Sequence, residues 1–142
     1  MVLGKPEVPQ TLPVLQNLMK RDPLGYEDEF KRRYRHFLSV LALHREQPSA
    51  DAKEMVANVS FVSHVSPCYR QLTSDLPTQL ASLLEEQHAV LDPSLRAALF
   101  QALVLLRNRS MMKPLELLQL CFRLFRCPDT VSYTHLTLPT KA

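Results

Sequence analysis

Four groups of side chains in this chain have the types and spacing that could do chemistry. Ser63-His64 with Ser66 can be drawn as a nucleophile beside a base, but neighbouring residues on a helix diverge by about 100°. Glu85-Glu86 are adjacent and diverge in the same way, so they do not form an acid–base pair. Cys121 and Cys127 share a helical segment but point in different directions, with no histidine at ligand spacing, and they read as buried thiols rather than a metal site. The fourth group is basic. Residues 93–127 carry six basic side chains and one acidic one, against two basic and six acidic in residues 47–92. Arg96 and Arg107 stand about three turns apart on one helix edge. Arg109 and Lys113 sit in the turn that follows, and Arg123 and Arg126 occupy the polar strip of the next helix. With only Glu116 nearby to neutralise them, these six residues are the candidate surface for RNA phosphates or an acidic protein. Arg35 and Arg45 are weaker candidates. They are left over once Glu27–Lys31, Asp28–Arg32 and Glu29–Arg33 are paired at the favourable i,i+4 spacing.

Nothing else suggests catalysis. The chain has 142 residues with only two glycines, Gly4 and Gly25. Phosphate-cradling loops need glycine for positive φ or close backbone approach, so neither a Walker-type loop nor a dinucleotide fingerprint can form later in the chain. No cofactor, metal or small-molecule substrate is implied. The three cysteines (Cys68, Cys121 and Cys127) form no CxxC pair and fit a reducing compartment. No apolar run approaches the roughly 18 residues of a membrane span. Residues 1–6 have no apolar stretch of signal-peptide type.

The elements that would position the basic residues are helical. Residues 1–10 hold two prolines, Pro6 and Pro9, and no periodicity, and read as a flexible leader. In 24–46, Tyr26, Phe30, Tyr34, Phe37, Leu38 and Leu41 follow helical period, as do Leu95, Ala98, Leu99, Ala102, Leu103 and Leu106 in 93–108. Residues 51–65 and 76–91 predict shorter amphipathic helices. In 114–127 apolar residues cover most of the circumference, which predicts a helix packed on two sides. Asp22-Pro23 and Asp92-Pro93 place a capping carboxylate beside a proline suited to the first helical turn. Ser74-Asp75 before Pro77 is another start signal. Six helices spaced at about 20 residues predict an all-α fold of antiparallel pairs stacked as a HEAT/armadillo-like solenoid segment, a fragment of a longer protein. The domain spans 11–130. The threonine-rich tail, 131–142, has no helical stripe and resembles a translated cloning adapter, so it is read as unstructured and non-native.

Ordered blocks of the chain carry a resemblance: Leu12-Pro13-Val14-Leu15-Gln16-Asn17-Leu18-Met19-Lys20-Arg21-Asp22-Pro23, then Tyr26 and Phe30; Cys68-Tyr69; Leu91-Asp92-Pro93-Ser94-Leu95-Arg96; Gln101-Ala102-Leu103-Val104-Leu105-Leu106-Arg107-Asn108; Leu117-Leu118; and Leu124-Phe125-Arg126-Cys127. Together they resemble the amino-terminal region of the severe-depolymerisation-of-actin (Sda) family. The resemblance implies a non-catalytic helical scaffold in assembly and nuclear export of the large (60S) ribosomal subunit, working in the nucleus and nucleolus. The partner implied is a pre-ribosomal particle, its proteins and its rRNA. A protein-interaction adaptor linked to actin organisation or protein transport is the alternative. No catalytic or ligand-binding residue is carried over.

Overall fold

The computed structural model describes residues 11–47 and 52–125. The leader 1–10, the segment 131–142, Arg126 and Cys127 lie outside the described residues. Among the described residues six α-helices follow one another: α1 (Leu12–Arg21), α2 (Glu27–Glu46), α3 (Lys53–Val65), α4 (Leu76–Gln87), α5 (Pro93–Asn108) and α6 (Pro114–Phe125), with a 3-10 turn over Ser66–Tyr69 after α3. Helices α1, α3 and α5 pack side by side in one layer, and α2, α4 and α6 form the second. This is the all-α, HEAT/armadillo-like stack that the 20-residue spacing predicts.

Apolar stripes account for each helix. Leu15 and Met19 of α1, Phe30, Phe37 and Leu41 of α2, and Leu95, Leu99, Leu103 and Leu106 of α5 are buried in one continuous core. The valines of α3 are poor helix formers, yet Val59, Val62 and Val65 are buried, and their burial overrides a small propensity cost. A ladder of rings joins α2 to the turn after α3. Phe30 lies 4.3 Å from Tyr69 and 5.6 Å from Tyr34, and Tyr34 continues to Phe37 at 6.3 Å.

The expected aspartate caps do other work. Asp22 closes α1 instead of opening α2: its N–H donates to the Leu18 carbonyl, and its carboxylate accepts from the Gly25 N–H at 3.1 Å. A Cβ on Gly25 would run into that carboxylate, so an alanine here would turn the Asp22 side chain away from its N–H partner. Helix α2 therefore starts at Glu27, with three acidic residues complementing the positive end of its dipole. Asp92 and Asp75 do stand at N-cap positions, but neither side chain caps its helix. Asp92 accepts from the Ser94 hydroxyl at 2.6 Å, and Asp75 from the Tyr34 hydroxyl at 2.7 Å. Local pairing also shifts by one residue on α2. Lys31 meets Glu27 at 3.4 Å, whereas Arg32 and Arg33 both reach Glu29 and leave Asp28 aside. Burial alone would raise the Glu29 carboxyl, but hydrogen bonds from the two guanidiniums outweigh it and hold the group below the usual carboxylate range.

Helix α6 departs from its expected two-sided packing. Leu117, Leu120 and Leu124 are buried, while Leu115, Leu118 and Phe122 are 61%, 50% and 59% exposed. Those three fall at i, i+3 and i+7, one continuous apolar strip. The double substitution Leu118→Glu, Phe122→Gln is expected to change stability by no more than about 0.5 kcal/mol, as surface changes do. It should also reduce concentration-dependent association in sedimentation velocity. Equal association by both proteins would show that the strip is not the contact.

Candidate basic surface

Alternate helices of such a stack run in the same direction, so α1, α3 and α5 finish at one end. Two long-range hydrogen bonds fasten their turns there. The Tyr69 hydroxyl donates to the Pro23 carbonyl at 2.7 Å, joining the turns after α1 and α3. Arg70 Nη2 donates to the Arg109 carbonyl at 2.8 Å, joining the turns after α3 and α5. Burial raises the Tyr69 phenol to about 12, helped by the charges of Cys68, Glu27 and Asp22.

The five basic candidates among the described residues separate between the two ends of this stack. Arg107, Arg109 and Lys113 are exposed around the α5–α6 turn. Arg107 Nη2 donates to Asn108 Oδ1 at 2.8 Å, and no described carboxylate forms an ion pair with any of the three. Arg96 begins the same helix, about 16 Å away along its axis. It is partly buried, and its Nη1 donates to the His88 carbonyl at 3.1 Å. Arg123 reaches across to Glu85 of α4 at 2.7 Å. Arg45 binds Glu86 at 2.5 Å and the Ser82 hydroxyl at 3.3 Å, and its carbonyl accepts from Gln87 Nε2 at 2.6 Å. Arg35 is exposed on α2, apart from both groups. The end formed by the last turns of α2, α4 and α6 is thus cross-linked by charge pairs. The opposite end carries Arg107, Arg109 and Lys113 in and beside the α5–α6 turn, to which Arg70 is bonded through the Arg109 carbonyl.

Arg70 is not among the sequence candidates, because it belongs to a stretch that sums to net negative. The signal that could have found it is alternation. In a stack of antiparallel helices the first, third and fifth turns share an end, and basic residues in those turns are neighbours despite separations of some 40 residues.

The α5–α6 turn has one unusual backbone feature. Ser110 is the one non-glycine residue with positive φ (64°) among those described. Its N–H donates to the Arg107 carbonyl at 3.0 Å, and the Met111 N–H to the Leu106 carbonyl at 2.8 Å, which is the Schellman arrangement. Glycine normally takes this place. Ser110→Gly is expected to raise stability by about 0.5–1 kcal/mol in urea unfolding, the left-handed penalty less glycine's extra entropy. A loss would mean that the serine side chain makes a compensating bond.

No catalytic arrangement accompanies these groups among the described residues. His64 Nδ1 lies 2.8 Å from the Ser60 carbonyl, and the Ser63 hydroxyl donates to that same oxygen at 3.1 Å, so the histidine and serine serve their own helix. Ser66 is buried. The Cys121 thiol is pushed up by burial, which lowers its thiolate fraction. No three His, Cys, Asp or Glu side chains converge as a metal site among the described residues, and no helix there is long and apolar enough to cross a membrane.

An all-α, HEAT/armadillo-like helical-repeat protein is the class these features define. Residues 61–138 match the family model described as SDA1, HEAT repeat. The chain belongs to the SDA1 family. It is 42% identical over 139 residues to the Protein SDA1 homolog of Xenopus tropicalis and likewise to that of Drosophila melanogaster, each alignment covering 95% of this chain and 20% of the relative. Protein sda1 of Schizosaccharomyces pombe is 34% identical over 119 residues, covering 84% of this chain and 17% of that protein. The chain thus spans about a fifth of the length of these relatives.

Proposed function

We propose that the chain is part of a non-catalytic assembly factor for the large ribosomal subunit, acting in the nucleus and nucleolus as a helical scaffold on pre-ribosomal particles. Membership of the SDA1 family carries this reading. A stack without a converging set of reactive side chains among its described residues suits a protein that works by holding others in place. Its two ends are chemically different, one closed by cross-helix ion pairs and the other basic, so it has a direction in which to present itself to a partner.

The test is affinity purification of the tagged protein from nuclear extract, followed by probing for large-subunit precursor RNA and its associated proteins. Depletion should also trap a fluorescent large-subunit protein in the nucleus. Co-purification with actin and no precursor RNA would overturn the assembly reading in favour of the cytoskeletal adaptor.

A further inference from the structure

We infer that the end of the stack where α1, α3 and α5 finish is a contact site for the phosphate backbone of RNA, made by Arg70, Arg107, Arg109 and Lys113. The inference deepens the assembly-factor reading and rests on it for the identity of the natural RNA.

Basic residues at helix C-termini often serve only the helix dipole. That accounts for Lys20 and Arg21 in the last turn of α1 and for Arg107 in the last turn of α5. It does not account for Lys113, which lies beyond α5 and ahead of α6, where the dipole is positive and disfavours a cation. The bond from Arg70 to the Arg109 carbonyl caps the C-terminus of α5, and it does so by bringing a further cation beside Arg107 and Arg109 against Coulomb repulsion. The bond uses one of the five guanidinium N–H donors of Arg70 and leaves the others for a ligand.

Among the carboxylates at this end, Asp28 and Glu116 form no ion pair with any of the four cations, and three others are engaged elsewhere. Asp75 accepts from Tyr34, Asp22 from the Gly25 N–H, and Glu27 holds Lys31. At the other end of the stack the same chemistry has the opposite outcome, with Arg45 and Arg123 each joined to a glutamate of α4. The fold thus joins acidic to basic side chains across helices at one end and leaves Arg70, Arg107, Arg109 and Lys113 without an ion pair to a described carboxylate at the other.

The form of that end favours RNA over an acidic peptide. The four cations come from two neighbouring turns, whose helices pack about 8–10 Å apart, and Arg70 reaches from one turn to the other. A polymer with a charge on every unit can span them, and arginine forks pair with phosphate in two-pronged fashion. A peptide would instead be held chiefly by an apolar anchor in a pocket. The α4–α6 groove, of about 480 Å³, is lined by Glu85, Glu86 and Glu116, and the α3–α5 groove, of about 400 Å³, by Val56, Ala98 and Leu105. Neither is lined by any of the four cations, and a third groove, of about 320 Å³, reaches only Arg70 among them and is lined as well by Glu27.

The experiment uses the full 142-residue chain and a mixed-sequence, single-stranded RNA of about 20 nucleotides, titrated by fluorescence anisotropy between about 50 and 200 mM salt. Four neutralised phosphates give a log–log slope of about −3, so affinity should fall about 50-fold over that range. The variant Arg70→Gln, Arg107→Gln, Arg109→Gln, Lys113→Gln should lose most of that slope and roughly tenfold or more in affinity at about 100 mM salt. The variant Arg35→Gln, Arg45→Gln, Arg123→Gln should keep the slope. Circular dichroism establishes that each protein is folded before titration. Equal weakening by both variants would reveal a diffuse charge effect and overturn the site. Absence of RNA binding by the folded chain, or displacement of RNA by equimolar polyglutamate, would overturn it as well. If the folded parent chain fails to bind RNA while the tagged protein still co-purifies with precursors, only this inference falls and the assembly role stands.

Discussion

Phe30→Ala is expected to cost about 3–5 kcal/mol, the range for removing a buried aromatic ring. Phe30 is fully buried at the start of α2 and stacks on Tyr69 at 4.3 Å, the two rings within 7° of parallel, with Tyr34 on its other side. The ring is therefore a joint between α2 and the turn that follows α3. Truncation leaves a cavity flanked by two tyrosines whose hydroxyls are held by Pro23 and Asp75. Those bonds oppose collapse of the cavity, which places the loss toward the upper part of the range. Domains are stable by only about 5–15 kcal/mol in total, so the variant should lose a large share of its stability. Urea unfolding followed by circular dichroism measures it. Phe30→Leu, which refills most of the space, should recover most of the loss. A cost below about 1 kcal/mol for the alanine variant would mean that the ring ladder does not hold the two turns together. Amide exchange should then also stay unchanged at Arg70, whose position depends on the turn that Tyr69 anchors.

The helices are legible in the sequence because burial imposes their period. The stripe through Leu95, Leu99, Ala102, Leu103 and Leu106 is a property of nearby residues, and a chain that buries all five together must coil at about 3.6 residues per turn. The carboxylates are less legible, because each has several partners to choose from. Asp22 and Asp75 look like caps in the sequence, yet the first meets the Gly25 N–H and the second a tyrosine hydroxyl 41 residues away. The basic site is half legible. Windows along the chain find Arg107, Arg109 and Lys113, but they group Arg96 with Arg107 although the two stand at opposite ends of α5. They also pass over Arg70, whose neighbours are set by the stack and not by the chain.

Tyr34→Phe is expected to cost about 1.5–3 kcal/mol at pH 7, the range for a hydrogen bond to a charged group, and to fall near the lower end because Asp75 is solvent-exposed and can rehydrate. The ring contacts with Phe30 and Phe37 survive this substitution, so the loss isolates the 2.7 Å bond that ties α2 to the start of α4. The pH dependence separates it from a packing defect. Burial, then the hydrogen bond and negative charge of Asp75, push the Tyr34 phenol far above its ordinary value. A group with a raised pKa in the folded state contributes its full stability below the unfolded value, near 10. Above that pH the unfolded chain releases a proton that the folded chain keeps, so the contribution declines as pH rises. The parent protein should therefore lose stability steeply above about pH 10, and Tyr34→Phe should lose it more gently. The gap between the two should narrow with each step in pH. Tyr69, raised to about 12, keeps a residual alkaline loss in both proteins. Urea midpoints at about pH 7, 10 and 11 would measure the convergence. Parallel curves would show that the Tyr34 proton is not held by the fold, and that the α2–α4 joint rests on the Arg45–Glu86 pair and the Gln87 bond at the opposite end of the stack.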